Sequence, residues 1–147
     1  MNVLEALEKE LIKVPLESSE KYAIIRELVD VAAQAKGYDG EALLDAVLAR
    51  ERLGSTGIGN GIAIPHAKSD AVNKVTMVIG VSKIPVDFES IDNQKARIFF
   101  LVIAPSKEAS AHVELLASIA RSCSSGIFRR MLEQAKDADE VIQLFME

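Results

Sequence analysis

The chain has 147 residues, of which 49% are hydrophobic and 27% charged, and a formal net charge of −5. That composition holds enough apolar material for one globular core and excludes a disordered or fibrous chain. The acidic balance comes without a basic stripe or interleaved aromatics, which argues against a nucleic-acid partner.

The first eight residues are too acidic and too interrupted for a signal peptide. The longest apolar run, residues 98–105, is far short of the roughly 20 residues a membrane helix needs, so no membrane insertion is expected. A lone cysteine, Cys123, can make no internal disulfide. It points to a reducing, cytoplasmic setting and reads as a small buried hydrophobe.

Taken in chain order, residues 11–16 form a short apolar stretch that can be a strand. Ser18 or Ser19 then offers an N-cap for a helix ending near Gly37, with Ile24, Ile25, Leu28, Val31 and Ala32 at helical spacing. Asp39 can cap a second helix that Gly54 ends, with Leu44, Val47 and Leu48 facing inward. A glycine-rich stretch, 54–61, leads into the short apolar run 62–64 and Pro65.

Residues 75–81 and 98–104 are continuously apolar, the pattern of strands covered on both faces. Asp92-Asn93 is a turn signal between segments that can form a hairpin. The last third reads as three helices, capped by Ser110, by Ser124 or Ser125, and by Asp137. The expected architecture is a single domain over 1–147, an α/β fold built as a three-layer α/β/α sandwich with a small mixed sheet flanked by helices on both faces.

Chemistry points first to His66, which follows a proline at the end of the glycine-rich stretch. Pro65 fixes its own φ and keeps its predecessor extended, so the His66 backbone is pre-positioned. Glycines at 54, 57, 59 and 61 permit positive φ and let backbone N–H groups come close to an anion such as a phosphoryl group. The competing reading is a surface loop whose glycines only make turns. The pattern is neither a dinucleotide fingerprint nor a Walker loop.

His112, expected in the first turn of its helix, is either a structural histidine or a neutral imidazole at an anion-favouring helix end. Arg50 and Arg52 both precede the glycines, and either guanidinium can contact phosphate oxygens or merely complement a helix dipole. Thr56 can donate its hydroxyl to the same phosphate or cap the turn. Two histidines without ligand spacing make a metal site a poor reading, and no Gly-x-Ser-x-Gly elbow is present.

The run Arg50-Glu51-Arg52-Leu53-Gly54-Ser55-Thr56-Gly57-Ile58-Gly59-Asn60-Gly61-Ile62-Ala63-Ile64-Pro65-His66-Ala67-Lys68 closely resembles the signature of fructose/mannitol-type enzyme IIA domains of the sugar phosphotransferase system. The resemblance continues through Val86-Asp87-Phe88-Glu89-Ser90-Ile91-Asp92, residues 99–105 and His112-Val113-Glu114-Leu115-Leu116-Ala117. It implies a cytoplasmic phosphotransferase component with a phosphohistidine intermediate. In such domains the phosphorylated histidine matches His66, a second active-site histidine matches His112, and an active-site arginine matches Arg50.

The resemblance further implies receipt of phosphate from the carrier protein HPr and transfer to a IIB domain. From there the phosphate reaches a sugar, fructose-like by the residues after His66, crossing a IIC membrane permease. No cofactor or metal is implied. Thr56, Gly59 and Gly61 are the expected phosphate-binding residues beside the three. A related expectation is a nitrogen-type regulatory IIA protein, whose phosphorylation state controls binding to a transporter, kinase or regulator.

Overall fold

A computed structural model describes all 147 residues. The chain opens with α1 (Val3–Ala6), closed by a capping box between Asn2 and Glu5, and a 3-10 turn, Lys9–Leu11. The stretch read as one strand over 11–16 splits here. Only β1 (Ile12–Lys13) is extended.

Next come α2 (Lys21–Lys36) and α3 (Gly40–Glu51). The cap of α2 is Glu20, whose carboxylate accepts from Ala23 N, and not Ser18 or Ser19. The backbone amides of Glu17 and Ser18 are instead held by the Glu27 carboxylate. Gly37 ends α2 in the left-handed conformation, φ 71°. Asp39 caps α3 as expected, accepting from Ala42 N.

The glycine-rich stretch is a hairpin rather than a loose loop. Strands β2 (Gly57–Gly59) and β3 (Ile62–Ala63) are antiparallel. Asn60 and Gly61, at φ 57° and 81°, supply the two left-handed positions of a tight hairpin turn. Beyond Pro65 lies β4 (His66–Lys68), a strand the apolar pattern did not announce.

The two long strands β5 (Thr76–Val86) and β6 (Ala96–Ala104) are antiparallel neighbours. Asn93, at φ 60°, turns within their connection. A 3-10 turn, Ser106–Glu108, leads into α4 (Ala109–Ser122). That helix starts one residue before Ser110, so Ser110 does not cap it, and no side chain does. α5 (Gly126–Glu133) and α6 (Ala138–Met146) follow, capped by Ser125 and Asp137.

All six strands share one mixed sheet in the order β1-β5-β6-β3-β2, with β4 also against β6. Both β3 and β4 run parallel to β6 in one unbroken register, Ala63 opposite Phe99 and His66 opposite Val102. They form one line interrupted at Ile64 and Pro65. Proline has no N–H for a ladder, and Ile64 N turns outward to the Thr56 carbonyl.

Successive side chains of β6 alternate between two apolar clusters. Phe99, Leu101 and Ile103 join α2 and α3, whereas Ile98, Phe100, Val102 and Ala104 join α1, α4, α5 and α6. Helices therefore cover both faces, as expected of a three-layer sandwich.

Candidate functional site

Three local facts aim the His66 ring. Ala67 lies in the α2/α3 cluster, so strand alternation turns His66 and Lys68 to the opposite, α4 face. β4 pairs with β6 alone, which leaves its outer edge open, and His66 is half-buried there. The ring then bonds its own strand: Nδ1 lies 2.7 Å from the Ile64 carbonyl oxygen. A carbonyl can only accept, so Nδ1 carries the proton and the lone pair is on Nε2.

His112 meets His66 from α4, with ring centroids 5.6 Å apart and planes inclined at 68°. It is 4% exposed, and its Nε2 has no hydrogen-bond partner. Burial is the main cause that holds its pKa down at about 4, and the charges of His66 and Lys68 add to it. The imidazole is thus neutral, with a ring nitrogen committed to nothing. Such an orphan is costly inside a protein unless an incoming group satisfies it.

Arg50 lies in the last turn of α3, on the other side of the sheet, and donates from Nη1 to the Gly54 carbonyl at 3.0 Å. The Thr56 carbonyl accepts from Ile64 N, two residues before His66, so the Gly54–Ser55 backbone that Arg50 grips is level with His66 along the strand. Arg52 is exposed at the C-cap of α3. Thr56 is buried, and its hydroxyl and amide both donate to the Glu51 carboxylate. Its hydroxyl therefore braces the turn instead of facing a phosphate.

Gly59 and Gly61 require a correction. They sit at the tip of the hairpin, where Gly61 O accepts from Arg97 and Ile98 at the start of β6. His66 pairs at Val102, five residues further on, about 16 Å at the usual strand rise. Their positive φ serves the turn, and Asp92 packs against Gly59. The phosphate lining expected from these two residues is withdrawn.

Lys68 was not foreseen. It is exposed, two residues beyond His66 on the same strand face, and its charge reaches His112. The signal was present as i, i+2 spacing, but only for a reader who knew that residues 66–68 are extended.

Hollows such as those between α5 and α6 and beside Asp70 and Ser106 are lined by neither histidine. A half-buried nucleophilic imidazole beside a neutral one, on an open strand edge, suits exchange with another macromolecule better than enclosure of a small molecule.

Sequence comparison then supplies the decisive observation. The family profile described as "Phosphoenolpyruvate-dependent sugar phosphotransferase system, EIIA 2" matches residues 5–147. The chain belongs to this family. It is similar to the fructose-specific EIIABC component of Bacillus subtilis, 39% identical over 145 residues, a match that covers 98% of this chain but only 23% of that longer protein. The nitrogen regulatory protein of Bradyrhizobium diazoefficiens is 32% identical over 141 residues, 96% of this chain and 92% of that one. Among solved structures, nitrogen regulatory protein IIA-Ntr from Neisseria meningitidis superposes with TM-score 0.89 at 27% identity, covering 97% of each chain.

Membership in this family makes the chain a IIA component that takes part in phosphoryl transfer. The likeness to IIA-Ntr extends to the whole α/β architecture. No helix of the structure is long and apolar enough to cross a membrane.

Proposed function

We propose that this chain is a phosphocarrier that accepts a phosphoryl group on His66 Nε2 from phosphohistidine on an HPr-type protein and passes it to a IIB domain, in uptake of a fructose-like sugar through a IIC permease. The observation that carries the reading is the bond from His66 Nδ1 to the Ile64 carbonyl, which leaves Nε2 as the ring's nucleophilic atom.

In the transfer, the Nε2 lone pair forms the new N–P bond as the donor's N–P bond breaks, and the donor imidazole leaves. The Nδ1 proton stays, and the Ile64 carbonyl stabilises the positive charge the ring acquires. His112, neutral and with a free nitrogen, satisfies that nitrogen against a phosphoryl oxygen. Arg50 is within the segment that brackets the site and can move from Gly54 to the phosphoryl oxygens. Phosphoryl transfer asks mainly for positioning and charge stabilisation, which these groups provide. Exposed Leu53 and Val113, which adjoin the Arg50 loop and His112, give partners an apolar rim.

Similarity to a fructose-specific protein at 39% identity favours sugar transport. The likeness to nitrogen regulatory proteins supports a second reading, in which the same histidine sets binding to a regulated partner.

The test is incubation with phosphoenolpyruvate, enzyme I and HPr, followed by intact-mass measurement. The expected result is one acid-labile phosphate, absent in His66→Ala, and transferable to a fructose-type IIB domain. In His112→Ala, phosphorylation should persist and onward transfer should slow. Phosphate that survives His66→Ala would refute the assignment, whereas phosphorylation without transfer to any IIB would favour the regulatory reading.

A further inference from the structure

We infer that Lys68 is a third phosphoryl contact, the mobile cation that faces the group carried on His66; this rests on the reading of His66 as the phosphorylated residue. Position comes from the strand. His66 and Lys68 pair with Val102 and Ala104 of β6, and Ala67 between them points into the opposite cluster. Residues i and i+2 of a strand share a face at a Cα separation of about 6.6 Å, well within the span of a lysine side chain. The Lys68 charge also contributes to holding the His112 pKa down, as expected of a cation on the strand face that His112 packs against.

Availability is the second observation. The chain has eleven ion pairs and Lys68 is in none of them. The nearest carboxylate in sequence, Asp70, is taken by Ser106, accepting from its amide and its hydroxyl. Arg50, the other cation of the site, is already engaged with the Gly54 carbonyl. Lys68 alone of the two needs to break no protein contact to reach a dianion at Nε2.

Chemistry fits the task. An ammonium on a flexible stem is a point charge that follows an oxygen through transfer without imposing a planar geometry. Being exposed, it is screened, so it favours the phosphorylated state only modestly. A carrier needs this, because a group bound too well does not leave. Donor and acceptor are unchanged in atom balance: the N–P bond is exchanged between imidazoles, and Lys68 stays protonated throughout.

The experiment compares wild type, Lys68→Met and Lys68→Arg. Each is equilibrated with phospho-HPr, and the ratio of the two phosphoproteins is read by phosphorus NMR, together with the pH titration of the phosphoryl signal. Lys68→Met should shift the equilibrium about three- to tenfold toward phospho-HPr. It should also raise the phosphoryl group's own pKa by about half a unit, because a nearby cation favours the dianion. Lys68→Arg should restore most of both.

A merely structural lysine would move neither quantity. If equilibrium and titration match wild type, Lys68 is not a phosphoryl contact. If only the rate of phosphorylation falls, and falls less at high salt, Lys68 steers the partner and the inference is overturned. Failure of the underlying reading looks different: wild-type protein then carries no phosphate on His66 at all.

Discussion

At His112 the cost of burying a charge becomes a pH dependence of stability. Its ring is held near pKa 4 by burial first and then by the His66 and Lys68 charges, against an ordinary value of 6.5. Between those two values the unfolded chain binds a proton that the folded chain does not, so stability rises with pH across this window. The contribution is fully present above pH ~6.5 and is lost as pH falls toward 4, on the order of 3 kcal/mol in all. Urea unfolding of wild type at pH 7.5 and 4.5 should show this loss. His112→Gln, which cannot titrate, should flatten the slope. Asp70, Asp92 and Glu27 are held below their usual carboxylate range, and their contribution disappears only at more acidic pH. Equal slopes for variant and wild type between pH 4.5 and 6.5 would remove His112 as the cause.

At the scale of elements, the hairpin that precedes His66 separates turn chemistry from phosphoryl chemistry. Gly61 holds φ 81°, and a Cβ there would sit 3.3 Å from Glu133 Oε2. Gly61→Ala should therefore lose about 1–2 kcal/mol of stability from the left-handed backbone alone. Because the tip is five residues along the strand from His66, the rate of His66 phosphorylation should stay within about twofold, once corrected for folded fraction. A folded Gly61→Ala protein that takes up no phosphate would return the glycine to the site.

The same hairpin marks where the sequence was legible and where it was not. β5 and β6 were visible because a strand covered on both faces is a continuous apolar run, and α2 and α3 because helical periodicity meets a stop at Gly37 and a cap at Asp39. β4, of three residues, is too short for any period to register, and β1 is only two residues of the longer apolar stretch read as a strand. Glu20 took the place of the serines as the α2 cap because the Ser18 amide is held by Glu27. Ser110 was read as a cap because the sequence hides that a 3-10 turn after Pro105 starts α4 early. His66 and His112 stood out as the chain's only two histidines, yet their contact is made by a strand and a helix that meet only when α4 packs on the sheet. Gly59 and Gly61 were placed in the site for the converse reason. Proximity along the chain is not proximity in register.

Across the whole molecule, one ionic network centred on the buried Lys21–Glu51 pair ties together α2, α3 and the β5–β6 connection. Lys21 at the start of α2 pairs with Glu51 at the end of α3 at 3.0 Å and with Glu89 of the β5–β6 connection at 3.2 Å. It also stands over the Phe88 ring at 4.9 Å. Burial alone would lower its pKa, but Glu51 and Glu89 overcome this and raise it. Glu51 in turn accepts from Thr56 amide and hydroxyl, so the network ends at the turn that Arg50 also grips.

The Glu51 side chain is fully buried and that of Lys21 is 7% exposed. Removing one partner of such a pair leaves a charge without compensation, a loss of about 3 kcal/mol or more. Lys21→Met should show that loss in urea unfolding at pH 7. Glu51→Gln, which keeps the side chain's shape but lacks its charge, should lose less. In the double variant no uncompensated charge remains at this position, so its total loss should fall short of the sum by about 1 kcal/mol or more. Additive losses would mean that Lys21 and Glu51 act independently and that the ties between the helices and the Gly54–Thr56 turn lie in packing alone. With coupling present, Lys21→Met should also slow His66 phosphorylation under conditions where the protein remains folded, because the turn carrying Thr56 and Gly54 has lost its far anchor.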